Sequence, residues 1–268
     1  MLKLHLVMGL ILLLLGQFLT FYHLEPFSTY LAFILSWFGY ILIIDAWVYY
    51  RTQKSRFVSD PQTFGWMFVI SAAIWWFYEL LNIYVNNWYY VGVGRPEWIL
   101  YTLSFSTVLP AVIVTSDLLL SFNIFSSWNK RLKLTYGILS GIILLGIIAL
   151  VLPFIFPDQT FPLVWISLFL LLDPINYLTK SPSLLNQLSR GKYSLLLSLM
   201  LGTLVCGWLW ELWNFWAPVK WYYTIPYLDF IKIFEMPLLG YLGYIPFGLS
   251  LYALYWFIKS LSKQNPLS

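Results

Sequence analysis

Apolar residues along this chain do not alternate as in a strand, and they do not fall into a one-sided helical stripe. They fill long runs separated by brief polar stretches. A helix crossing the hydrocarbon of a bilayer needs about 20 mostly apolar residues. Eight runs qualify, at approximately 4–22, 28–50, 64–85, 97–122, 134–153, 160–179, 193–216 and 237–261. The joining stretches are short, and no water-facing domain can be cut from them. The predicted fold is an all-α polytopic membrane protein of about eight transmembrane helices. The first run, after Met1-Leu-Lys3-Leu-His5, has the outline of a secretion signal. No small-x-small cleavage site follows, and the run leaves through Gln17 to Tyr22, so it reads as an uncleaved first helix.

Composition reinforces the choice of solvent. Only 10% of residues are charged, against roughly 25% in soluble domains, so a water-facing surface cannot be assembled. The few charges carry orientation. Lys3, Arg51, Lys54, Arg56, Lys130, Arg131, Lys133, Lys180, Arg190, Lys192, Lys259 and Lys263 fall at one set of helix ends, and only Arg95, Lys220 and Lys232 at the other. Basic residues favour the cytoplasmic side, which predicts both termini inside (N-in/C-in) and a multi-pass protein of a bacterial inner membrane. The net charge of +4 is this bias and not a nucleic-acid footprint, because the basic loops lack interleaved aromatics. Cys206, alone in the seventh run, reads as a packing residue. His5 and His23 make no metal-ligand spacing with Cys or carboxylates, and no nucleotide or phosphate-loop motif occurs, so no cofactor and no metal is expected.

Two stretches nearly coincide. Trp76-Phe-Tyr-Glu79-Leu-Leu-Asn82 leads to Trp88-Tyr89-Tyr90, and Trp208-Leu-Trp-Glu211-Leu-Trp-Asn214 leads to Trp221-Tyr222-Tyr223. Asp45 matches Asp173, Pro110 matches Pro246, and Pro96-Glu97 answers Glu235-Met236-Pro237. Residues 1–133 and 134–268 are thus expected to be two four-helix repeats. An even number of spans per repeat makes them parallel, with a pseudo-axis along the membrane normal. The apolar stretch 217–236 is expected to fold over the bundle as a lid. Gly137 with Gly141, and Gly240 with Gly243, are expected to allow close helix approach.

An acid within a span marks a functional site unless it is well paired. Asp45, Asp117 and Asp173 lie near basic residues such as Arg51 and Lys180, and helix-end anchoring or ion pairing accounts for them. Glu79 shares a helical face with Trp75, Trp76 and Asn82, and Glu211 with Gly207, Trp208 and Asn214, at spacings of three and four. No cation shares either face, so burial favours the neutral acid. A proton donor beside indole and phenol faces suits chemistry that passes through a cation, since each such face stabilises a cation by about 0.5–2 kcal/mol. The competing structural role is a Glu–Asn hydrogen-bond pair joining the halves.

These windows loosely resemble the membrane-embedded lycopene cyclases and related carotenoid-modifying proteins. Trp76, Glu79, Asn82, Trp88, Tyr89 and Pro96-Glu97 carry the resemblance in the first half. Trp208, Glu211, Asn214, Trp221, Tyr222, Glu235 and Pro237 carry it in the second. Together they cover about a quarter of the chain. The Pro-x-Glu-Glu element of that family is absent from both halves, and the acid lies a turn from its expected place. The resemblance implies protonation of an isoprenoid alkene without redox cofactor or metal.

The leading expectation is therefore an acid-catalysed isoprenoid or carotenoid-type lipid enzyme (cyclase, isomerase or hydratase). Glu79 and Glu211 would act as general acid and base, oriented by Asn82 and Asn214. Trp76, Trp88, Trp208, Trp221, Tyr222 and Glu235 would line an apolar slot for the lipid substrate. The alternatives are a proton-coupled lipid or small-molecule transporter and a non-catalytic membrane subunit or assembly factor. A long helix broken at the midplane would favour the transporter, and none is expected from the sequence.

Overall fold

The computed structural model describes residues 2–22, 25–92, 97–125, 129–227 and 230–264. Among these described residues twelve α-helices follow one another: α1 (Leu2–Tyr22), α2 (Glu25–Thr52), α3 (Arg56–Ser59), α4 (Pro61–Val85), α5 (Glu97–Phe105), α6 (Val108–Ser121), α7 (Tyr136–Ile155), α8 (Pro157–Thr160), α9 (Val164–Leu178), α10 (Leu184–Ser189), α11 (Ser194–Trp216) and α12 (Tyr244–Gln264). Eight stretches of the described residues are long and apolar enough to cross a membrane: Leu4–Tyr22, Leu31–Thr52, Pro61–Val85, Trp98–Ser121, Tyr136–Ile155, Pro157–Leu178, Ser194–Trp216 and Leu238–Leu261.

Packing follows one order twice. α1 lies on α2, α2 on α6 and α6 on α4; α7 lies on α9, α9 on α12 and α12 on α11. The two groups meet chiefly where α6 packs against α11. α6 is accordingly the most enclosed helix, with Val108 to Ser116 all buried. The outer helices α1 and α7 bury little and present leucine and isoleucine outward, as lipid-facing helices do.

Close approach comes from glycines other than those expected. A Cβ on Gly39 would lie 2.4 Å from the Leu13 nitrogen, and one on Gly16 would lie 2.7 Å from the Ala32 carbonyl oxygen. The backbones of α1 and α2 thus touch. Gly141 meets nothing within 4 Å, and Gly137 meets only Thr135 of its own helix start, so this pair packs no neighbouring helix. Gly240 and Gly243 sit against Met236 and Trp165.

Two features depart from an unbroken bundle. The fourth span is interrupted at Ser106-Thr107, between α5 and α6, and the eighth opens with a 3-10 turn, Leu238–Gly243. In a bilayer, backbone groups freed by such a break need a partner inside the protein. Ser71 supplies it: its hydroxyl donates to the Phe105 carbonyl (2.6 Å) and accepts from the Leu109 N–H (2.9 Å). Ser250 bridges the Trp165 carbonyl (2.8 Å) and the Phe169 N–H (3.1 Å) of α9 in the same manner. The second departure is β-structure. Strand β1 (Trp88–Val91) pairs antiparallel with β2 (Lys220–Tyr223), and a smaller ribbon joins β3 (Lys232–Ile233) to β4 (Met236–Pro237).

Replacing Gly39 with valine drives a side chain into the α1 backbone. Its expected effect is a loss of about 1–3 kcal/mol, read as a lower thermal midpoint of the detergent-solubilised protein. Gly65→Ala, where the added Cβ meets nothing within 4 Å, leaves the midpoint unchanged.

Candidate functional site

The site is built under the β1–β2 ribbon. Its register sets Trp88 opposite Tyr223, Tyr89 opposite Tyr222, Tyr90 opposite Trp221 and Val91 opposite Lys220. The pairing is symmetric about Tyr89 and Tyr222, whose rings stack 5.9 Å apart. Side chains alternate across a strand, so Trp88, Tyr90, Trp221 and Tyr223 share the inner face. All four line a cavity of about 480 Å³. Trp75, Trp165, Trp210, Tyr101, Tyr244 and Phe247 complete most of its aromatic wall. The volume is within the usual range for small-molecule sites.

Asparagines hold the ribbon in place. Asn82, near the end of α4, donates to the Trp88 carbonyl (2.8 Å) and accepts from the N–H groups of Asn87 (2.9 Å) and Trp88 (3.3 Å). Asn214, near the end of α11, donates to the Trp221 carbonyl (2.9 Å) and accepts from the Trp221 N–H (2.9 Å). Each thus clamps the strand that follows its own helix. The expectation that Asn82 and Asn214 orient the carboxylates is corrected by this geometry. So is the alternative of Glu–Asn pairing between halves: both amides are consumed by backbone groups that a sharp helix-to-strand turn would otherwise leave unsatisfied.

The carboxylates take their hydrogen bonds from aromatic side chains. Glu79 Oε1 accepts from Trp75 Nε1 (2.9 Å), Trp88 Nε1 (3.1 Å) and the Tyr90 hydroxyl (2.5 Å). Glu211 Oε1 accepts from the hydroxyls of Tyr223 (2.6 Å) and Tyr244 (2.6 Å), while Trp221 Nε1 donates to Tyr223 (2.8 Å). Trp75 stands four residues before Glu79, and the position four before Glu211 is Gly207. A Cβ on Gly207 would strike the Tyr244 ring at 2.3 Å. The missing indole is thus replaced by a phenol that enters from α12 through the space a glycine leaves. Glu211 is fully buried, and its Oε2 has no hydrogen-bond partner.

Neither Glu79 nor Glu211 lines the cavity; their donors do. Trp88 and Trp221 line it as expected. The other expected substrate contacts lie elsewhere. Trp76 is exposed and donates to Thr102, and Trp208 is exposed and packs on Phe234 and Tyr241. Tyr222 is on the outer face of the ribbon, and Glu235 binds Lys220 (2.9 Å). Pro96, the Glu97 side chain and His23 lie outside the described residues. Trp75 is visible in the sequence as a helical neighbour of Glu79, whereas Tyr90, Tyr223 and Tyr244 are not expected there as site residues. The repeated Trp-Tyr-Tyr carried the signal for two of them, had it been read with period two.

The three aspartates have structural partners. Asp45 accepts from the Arg56 N–H (2.9 Å), the Phe57 N–H (3.3 Å) and the Ser55 hydroxyl (2.6 Å) at the start of α3. Asp173 accepts from the N–H groups of Leu184 (2.9 Å) and Leu185 (2.8 Å) at the start of α10. Their partners are helix-start amides, which suit an anion, and not Arg51 or Lys180. Asp117 is ion-paired, with Arg56 at 2.7 Å. Among the described residues no cluster of three metal-ligating side chains occurs.

Comparison with family models, with curated proteins and with solved structures finds no match to this chain, so the reading of the site rests on its geometry.

The phenols of Tyr90 and Tyr223, in the loops outside the spans, are pushed well above the ordinary tyrosine value by burial first, then by the neighbouring Glu79 and Glu211. A proton held more tightly in the folded state stabilises it below the unfolded value of about 10, and that contribution is lost as pH rises beyond it. The thermal midpoint is therefore expected to hold up to about pH 10 and to fall above it. Tyr90→Phe with Tyr223→Phe flattens the fall. A wild-type-minus-variant absorbance difference near 295 nm that appears below this pH, before unfolding, would contradict it.

Proposed function

We propose that this integral membrane protein is an acid–base enzyme acting on an apolar isoprenoid-type lipid, with the aromatic cavity as its substrate site. The observation that carries the reading is that both glutamates, Glu79 half-buried and Glu211 buried, are hydrogen-bonded to the Trp and Tyr side chains that wall one cavity. Such an arrangement brings acid protons to within one phenol of an apolar ligand and surrounds it with cation-tolerant faces.

The environments of the two acids divide their roles, since a pair of carboxyls in unlike surroundings separates into acid and base. Glu79, with three donors on one oxygen, is the better-stabilised anion. Glu211, fully buried with an unpartnered oxygen and no cation among its hydrogen-bond partners, is the better proton carrier. In an isomerisation or cyclisation, reversal of the Tyr244 hydrogen bond passes the Glu211 proton outward to an alkene carbon. Its π pair forms the C–H bond and leaves a carbocation between the rings. Loss of a proton from the adjacent carbon toward Tyr90 and Glu79 restores a double bond, so one proton enters and one leaves. The loose resemblance to lycopene cyclases supports the same chemistry.

The matched Asn clamps, the matched Asp–helix contacts and the symmetric ribbon support two parallel repeats, residues 1–133 and 134–268. The split of basic residues supports both termini on the cytoplasmic side. One observation favours a second reading, a proton-coupled carrier: the break at Ser106-Thr107 within the fourth span, beside the cavity wall at Ser104 and Phe105.

The test is deuterium uptake. The protein is purified with the lipid it retains in detergent, and the lipid is identified by mass spectrometry and incubated with protein in D₂O. Wild type is expected to place deuterium on carbon in an isomerised or cyclised product. Glu211→Gln abolishes this while still folding, and Tyr244→Phe slows it by about 10²-fold. Glu211→Gln with wild-type labelling would overturn the assignment. Movement of unaltered ligand across vesicles would replace it with the carrier.

A further inference from the structure

Asn87 and Lys220 line the aromatic cavity at opposite ends of the β1–β2 ribbon. Lys220 stands across from Val91, and Asn87, just before Trp88, receives the Thr224 N–H on its carbonyl (2.8 Å). Four residues of strand separate the two positions, about 13 Å at roughly 3.4 Å per residue. Among the described residues Lys220 is the one cation of the lining, and it is already engaged. Its ammonium donates to Glu235 (2.9 Å) and to the Phe215 carbonyl (3.1 Å).

The Asn87 side chain is placed differently. The residue is 4% exposed, and its carboxamide oxygen is buried without a hydrogen-bond partner. The ribbon does not need that oxygen, because the backbone of Asn87 is already paired, its N–H with Asn82 (2.9 Å) and its carbonyl with Thr224. Much of the remaining polar wall serves the glutamates: Trp75, Trp88 and Tyr90 donate to Glu79, and Tyr223 and Tyr244 to Glu211. A buried amide oxygen left unpaired is unfavourable, and a donor carried by a ligand relieves it. Asn87 lies two residues beyond Val85, where the third span ends, so it stands at the depth of a bilayer lipid's polar end.

We propose that the cavity binds an isoprenoid alcohol, with the hydroxyl donating to Asn87 Oδ1 and the chain lying among the rings. This rests on the reading of the cavity as a lipid site and adds the chemical class of the ligand, and it does not depend on the acid–base step. A neutral hydroxyl suits the site where an anionic headgroup does not, because an anion would have to take Lys220 from Glu235. A carbonyl or ether end has no proton to give the amide oxygen. At the roughly 30 Å³ that a water occupies in the liquid, a cavity of about 480 Å³ holds about 16 non-hydrogen atoms, the size of a C15 isoprenoid alcohol. A hydroxyl held at Asn87 also sets which carbons of the chain lie against Tyr244.

The test is equilibrium binding to the full-length protein in phosphatidylcholine nanodiscs. The probes are tritiated farnesol and the hydrocarbon in which a methyl group replaces its hydroxyl. Wild type is expected to bind the alcohol about tenfold more tightly than the hydrocarbon. Asn87→Leu removes that preference and holds the hydrocarbon as well as wild type does; comparing the two ratios cancels the partition of each probe into the bilayer. A farnesol analogue with a diazirine near its hydroxyl is expected to label wild type at Asn87 or Thr224, a readout independent of the variant's stability. Equal binding of the two probes by wild type, a preference that survives Asn87→Leu, or labelling at Ser104 or Lys220 instead overturns the proposal and leaves the deuterium test standing. An Asn87-dependent preference without deuterium uptake refutes the acid–base step and keeps the alcohol site. Binding of neither probe removes the lipid reading of the cavity and this proposal with it.

Discussion

A polar group in the hydrocarbon of a bilayer has no water to fall back on, so it must find its partner within the chain. Most of this protein's distinctive geometry is a solution to that constraint. Asp45 and Asp173 are satisfied by the first amides of α3 and α10, Glu79 by indoles and a phenol, and one oxygen of Glu211 by two phenols. Because the glutamates draw on the side chains of a ribbon, and the ribbon is fixed by Asn82 and Asn214, acid and cavity wall form one unit. A change that loosens the clamps moves the donors, and a change in the acids leaves the donors unpaired. The cavity owes its shape to hydrogen bonds as much as to packing.

The same constraint explains what could be read from the sequence. The spans were legible because apolar length is a direct requirement of the bilayer: the run expected at 4–22 is Leu4–Tyr22, and those at 193–216 and 237–261 are displaced by a single residue. The identity of the buried acids was legible for the same reason. Their partners were not. Trp75 lies four residues from Glu79 and was visible as a helical neighbour, but Tyr244 reaches Glu211 from another helix, 33 residues on. The four-residue strands were hidden inside an aromatic run that equally suits an interfacial belt. The break at Ser106-Thr107 is marked only by Pro110, which has no N–H for the Ser106 carbonyl, and the hydroxyl that heals it belongs to Ser71, in α4.

Trp76 and Trp208 show how a repeated pattern can mislead. They recur three residues before each glutamate, yet both are exposed side chains on a lipid-facing surface. Recurrence there reflects the helix's outer face, while the recurrence that reaches the cavity includes the third residue of Trp-Tyr-Tyr. Period two selects Trp88 and Tyr90 over Tyr89, and Trp221 and Tyr223 over Tyr222, and it is the inner pair in each strand that borders the cavity.

Under the proposed repeat of residues 1–133 and 134–268, the halves diverge in compensated pairs. The Arg56–Asp117 ion pair has Leu184 and Ala253 at the corresponding positions, so both charges are absent together. Around the glutamates, Trp75 and Val108 correspond to Gly207 and Tyr244, so the donor moves from the acid's own helix to α12. The exchange keeps each acid hydrogen-bonded and changes what bonds it. An indole can only donate, whereas a phenol both donates and accepts. Glu79 is thereby tied to two indoles, which can only hold it as an anion acceptor, and to one phenol, Tyr90. Glu211 is tied to two hydroxyls able to reverse their bonds and hand a proton onward. The proposed division into base and acid follows from that difference in donor chemistry.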